Sequence, residues 1–163
     1  GLRANATADG AAALMRHLYR DLPTVCVPVL KQVFALLLDE QAEHLPLVFH
    51  CTAGKDRTGF VVAMLLHAVG VAEDAVLDDY LRSNDASNRD SLQLKVAKLL
   101  QELLGAPAPP DMLAAIIAAR ADYLDAALAE IGARHGSIDG YLAQAIGLDD
   151  RLRDRLAGRL LTH

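Results

Sequence analysis

Tryptophan is absent from this chain of 163 residues, and aromatic residues make up only 4% of it. Recognition of nucleic acid by stacking bases on aromatic side chains is a poor fit to that composition. Cations are also short: Lys and Arg number 16 against 21 Asp and Glu, for a net charge of -5. Binders of nucleic acid or of anionic membrane surfaces usually tip the other way, so no nucleic-acid partner is expected. Lysine is the scarcer cation, confined to Lys31, Lys55, Lys95 and Lys98. The two cysteines, Cys26 and Cys51, are too few for a disulfide framework or for a zinc site of their own, and neither a metal nor a cofactor is expected. The longest apolar stretch, at 60–69, contains His67 and falls short of a transmembrane span. The first ten residues, GLRANATADG, hold no apolar core of a signal peptide and no initiator Met. The chain reads as a piece of a longer protein, cytoplasmic or secreted, with a missing N-terminal segment or a companion chain.

What is present is mostly apolar. Hydrophobic types reach 53% and charged types 23%, a composition that folds as a single domain over 1–163. Leu14, Leu18 and Leu22 set a helical stripe in 11–21, interrupted by Pro23. A second helix is expected from Val25 to about residue 42, with Pro28 tolerated in its first turns. Residues 45–49 are a short apolar run ending at His50, and read as a strand. A polar loop follows from Thr52 to Thr58. Residues 59–69 then form an apolar helix closed by Gly70. Further helices are expected at 73–82, from Ser91 to about 103, from Asp111 to about 131, at 138–146 and at 150–161, with Ser137 and Asp149 as caps. Strand, tight loop and buried helix in that order define an α/β core. One strand leaves its ladder groups unpaired, so most of the sheet is expected upstream of residue 1.

The stretch from His50 to Gly59, HCTAGKDRTG, carries the chemistry. Cys51 is expected where a strand ends and Arg57 where a buried helix begins. Gly54 lets the intervening loop turn without strain. Loop amides, the helix N-terminus and Arg57 together make a cradle for a tetrahedral dianion. The same donors favour thiolate over thiol at Cys51. A thiolate beneath a bound phosphate is placed for in-line attack on phosphorus, giving a cysteinyl-phosphate that water releases.

This stretch resembles the active-site loop of the protein tyrosine phosphatase superfamily, in its bacterial tyrosine/lipid phosphatase branch. LPLVFH before it, VLDDYLRSN after it and HGSIDGYL near the end look similar as well. The resemblance implies a protein-tyrosine-phosphatase-like α/β fold and a cysteine-dependent phosphomonoester hydrolase acting on phosphotyrosine, phosphoinositides or both. Cys51 would then be the nucleophile and Arg57 the phosphate clamp. Thr58 would hydrogen-bond the thiolate, and His50 would orient the loop from behind. Thr52, Ala53, Gly54, Lys55, Asp56 and Arg57 would bind substrate, with Lys55 adding charge at the rim for further phosphates. Either Asp56 or Asp21 would protonate the leaving oxygen, Asp56 being preferred. The strands and the Asp-Leu-Gly-Gly segment that usually precede this loop are missing from the sequence. The competing reading is a catalytically silent phosphate-binding or interaction domain derived from the same fold.

Other residues receive plainer readings. Cys26 suits a core position, and His67 a packed, hydrogen-bonded one. Tyr80, Arg82 and Asn84 suit either the pocket wall or an ordinary helix end. Two amphipathic helices joined by GAPAPP, within 91–130, suit either a lid over the pocket or static packing.

Overall fold

The structure is a computed structural model of the chain and describes residues 5–40, 47–85 and 89–161. The fold is built from helices. α1 (Ala8–Val25) opens with Thr7, whose side chain accepts the Gly10 N–H. α2 (Val27–Leu38) follows after the single residue Cys26. α3 (Asp56–Ala68) leads into α4 (Glu73–Leu81) and a 3-10 turn at Arg82–Asp85. α5 (Arg89–Leu104), α6 (Pro110–Ile117) and α7 (Ala121–His135) come next. The chain closes with α8 (Ile138–Tyr141), a wider turn at Leu142–Ile146 and α9 (Asp150–Leu160). Ser137 and Asp149 cap as expected, accepting the N–H groups of Gly140 and Leu152.

The expected α/β architecture is corrected here. Among the described residues there is no β-strand. Part of the expected strand, 45–46, lies outside the described residues. The remainder, 47–49, forms no ladder. Val48 is 84% exposed, the opposite of a buried strand centre. A strand is stable only with a neighbour to take up its N–H and C=O groups, and the described residues offer none.

Tertiary packing also changes the register of α1. Its buried side carries Met15, Tyr19, Leu22 and Pro23, whereas Leu18 of the expected stripe is 47% exposed. Pro23 does not end the helix. It removes one amide bond within α1, and its own carbonyl accepts the buried Tyr141 hydroxyl at 2.6 Å. Tyr19, Phe60, Met64, Tyr123, Ile131 and Tyr141 fill the main core. α1 packs chiefly on α6 and α7. A smaller cluster of Ala11, Leu100, Met112 and Ala115 ties α5 and α6 to the start of α1.

The helix expected from Asp111 to about 131 is two helices. An extended corner at Ala118 to Arg120 separates them, and Asn84 pins it. The Asn84 side chain donates to the Ala119 carbonyl at 2.8 Å and accepts the Ala119 N–H at 2.9 Å. Among the described residues no single helix is long and apolar enough to cross a membrane.

Candidate functional site

Cys51 lies between the irregular 47–50 segment and the turn that enters α3. Gly54 makes that turn at φ 67°, in the left-handed region that glycine adopts freely. The first turn of α3 folds back on the cysteine, so that the Cys51 N–H donates to Thr58 Oγ1 at 3.0 Å. Burial alone raises the thiol pKa. Hydrogen bonds from the Thr58 hydroxyl and from the amides of Thr58, Ala53 and Gly54 outweigh that and lower it to about 7. The thiolate is therefore favoured near neutral pH relative to an ordinary cysteine.

The other sequence-predicted residues surround this point in different ways. Arg57 is exposed and donates to Thr52 Oγ1 at 3.3 Å. The exposed His50 ring lies against the Cys51 carbonyl, Nδ1 to O 3.3 Å. Lys55 does not stand at the rim. It is 5% exposed, and its ammonium reaches the carbonyls of Ile116 at 3.0 Å and Ala118 at 3.1 Å. It also pairs with Asp56 Oδ1 at 2.8 Å. Asp56 accepts in addition the Tyr19 hydroxyl at 2.7 Å. Asp21 is exposed on α1 and shares with Asp56 and Arg57 a largely apolar cavity of about 370 Å³.

Tyr19 was not visible as a site residue in the sequence. Its hydroxyl is 2.7 Å from both Asp56 Oδ1 and the Tyr80 hydroxyl. Since its one proton goes to the carboxylate, the Tyr80 proton is left to Tyr19 oxygen. Burial is the main reason Tyr80 is pushed up to about 12 and Tyr19 higher still, so both stay protonated across the physiological range. A periodicity through Met15, Tyr19 and Leu22 would have found Tyr19, but the leucine stripe masked it. Tyr80 and Asn84 of the YLRSN stretch are structural: Tyr80 is buried against Gly59 of α3 and Tyr19 of α1, and Asn84 holds the α6–α7 corner.

Cys26 is buried at the α1–α2 junction and shares a second cavity, about 470 Å³, with Cys51, Arg57 and Thr58. Burial raises its thiol pKa, with Arg57 opposing. Arg57 thus borders the cavities on both sides of the loop. His67 is half-buried in α3, and its Nε2 has no hydrogen-bond partner, unlike the satisfied histidine expected.

A family model described as tyrosine phosphatase family matches residues 2–162, and the chain belongs to that family. It is homologous to the bacterial branch that includes triple specificity protein phosphatase PtpB of Mycobacterium tuberculosis. Identity to PtpB is 36% over 163 residues, covering 94% of this chain and 56% of PtpB. A Cupriavidus necator relative named as a tyrosine-protein phosphatase is 38% identical over 137 residues, 84% of this chain and 47% of the relative. The chain spans about half the length of these relatives.

Membership of the family does not carry the hydrolase expectation through. Cysteinyl-phosphate chemistry was expected from a thiol held at the end of a buried strand. Among the described residues that strand is missing, and the segment leading to Cys51 is unpaired, with Val48 in solvent. The assignments as an enzyme, a hydrolase and a phosphatase with a strand-backed phosphate loop are therefore corrected for this chain.

Proposed function

We propose that this chain is a catalytically silent phosphate-binding domain of the tyrosine phosphatase family. One observation carries the reading. Four donors, the Thr58 hydroxyl and the amides of Thr58, Ala53 and Gly54, converge on the Cys51 sulfur, while Arg57 stands exposed beside them. Donors that lower a thiol pKa do so by favouring negative charge, and a phosphate oxygen draws on the same preference. The N-terminus of α3, thirteen residues long, adds its dipole in the same direction. Arg57 is the forked donor, and Thr52, Ala53 and Gly54 line the anion's approach.

The partners that suit this reading are a phosphorylated protein or a phosphoinositide headgroup. The apolar cavity beside Arg57, walled by Met15, Leu18, Leu22, Val96 and Ile116, takes the group that bears the phosphate. Titration of labelled protein with inorganic phosphate, followed by amide NMR, tests the reading. The Ala53, Gly54 and Thr58 resonances are expected to shift saturably, and Arg57→Ala is expected to abolish the shifts. Shifts confined to other residues, or none, would overturn it.

A further inference from the structure

Lysine is scarce in this chain, and the one lysine in the loop is committed elsewhere. An ammonium carries three N–H donors, and Lys55 Nζ lies within 3.1 Å of three oxygens: Ile116 O, Ala118 O and Asp56 Oδ1. The first two belong to the end of α6, where carbonyls have no helical partner and carry the negative end of the dipole. Withdrawing Lys55 would strand those carbonyls and leave Asp56 to repel an incoming anion. The acidic and basic side chains around the apolar cavity are Asp21, Lys55, Asp56 and Arg57. With Lys55 and Asp56 paired, Arg57 is the cation left for a ligand among the described residues that line the cavity, facing the one unpaired carboxylate of Asp21.

We infer that the loop is a one-phosphate site, and that Lys55 is a positioning residue latching the α6 corner to the loop rather than a contact for a second phosphate. This inference rests on the anion-binding reading above and narrows it. Singly phosphorylated ligands occupy the site as well as multiply phosphorylated ones, because a second phosphate meets Asp21 and the internally paired Lys55 and Asp56 instead of a free ammonium.

Isothermal titration of the full chain with inositol monophosphate and inositol trisphosphate tests it. The expected dissociation constants differ by no more than about threefold, the statistical gain of three equivalent phosphates. In Lys55→Met, amide exchange at 116–119 is expected to accelerate, because the carbonyls of Ile116 and Ala118 lose their donor. A trisphosphate preference of about tenfold or more in the unaltered chain contradicts the inference, as does unchanged amide exchange at 116–119 in Lys55→Met. Should that variant not fold, the ratio in the unaltered chain decides. Failure of both ligands, and of inorganic phosphate, to bind is a separate result that overturns the anion-binding reading and this narrowing with it.

Discussion

The Tyr19 hydroxyl donates to Asp56 Oδ1 at 2.7 Å, joining the middle of α1 to the first residue of α3. Asp56 and Arg57 are neighbours in the chain, so this bond fixes the start of the helix that presents the arginine. Tyr19→Phe removes the donor and leaves a part-buried carboxylate with Lys55 alone. A loss of about 1.5–3 kcal/mol in urea unfolding is expected, the range for a hydrogen bond to a charged group. A variant as stable as the parent would show that the pair does not hold the loop.

Gly59 sits where α3 passes Tyr80. A Cβ at this position would lie 2.9 Å from Tyr80 Cδ2. Helix propensity favours Gly59→Ala by roughly 1 kcal/mol, but the contact forces the tyrosine to shift. The overpacking cost of about 1–3 kcal/mol less that gain leaves a net destabilisation of up to about 2 kcal/mol, with Tyr80 displaced from Tyr19. A thermal midpoint that rises would mean the ring yields without cost.

The loop itself was legible in the sequence because its residues are contiguous: HCTAGKDRTG places thiol, turn glycine, arginine and helix start in one string. What supports it was not. Tyr19 stays hidden in the sequence because three leucines, Leu14, Leu18 and Leu22, point to another face of α1, and because Pro23 looks like a stop. The helix runs past Pro23, whose carbonyl is taken up by Tyr141, 118 residues away. The α6–α7 break at 118–120 has no local turn signal either. Asn84 and Lys55, both distant in sequence, hold that corner. Residues 47–49 look like a strand by composition alone, but strand formation depends on a partner that no single segment specifies.

Cys51 provides a pH test. Its pKa in the folded chain is lowered from 9.0 to about 7, so the folded state holds the thiolate more readily than the unfolded one. The associated stability is fully present above about pH 9 and is lost as pH falls through 7. Alkylation rate against pH should show a midpoint near 7. In Thr58→Ala, which removes the hydroxyl donor, the midpoint should move up toward that of an ordinary cysteine. An unchanged midpoint would show that Thr58 does not stabilise the thiolate.

The thiolate and a bound anion compete for the same donors. Sulfate stays a dianion across the range, so its affinity is expected to fall as pH rises through 7 in the parent chain. In Cys51→Ser, which has no thiolate to form, the affinity should be flat over that interval. Equal pH profiles for the two proteins would place the anion away from Cys51.

Arg57 is exposed and bonded to Thr52 alone among the hydrogen bonds described, so its removal should leave the fold intact. Arg57→Ala is expected to weaken phosphotyrosine binding by at least about tenfold, as loss of a charge-assisted contact does. The thermal midpoint should not move. A fall in stability together with binding would make Arg57 a structural residue.

Phosphate release separates binding without turnover from catalysis. The assay compares this chain with its Cys51→Ser variant, under reductant, on a phosphotyrosine peptide and on phosphoinositide vesicles, with binding followed in parallel. Saturable binding and the same background release from both proteins are expected. Release by the parent chain that disappears in Cys51→Ser would contradict binding without turnover.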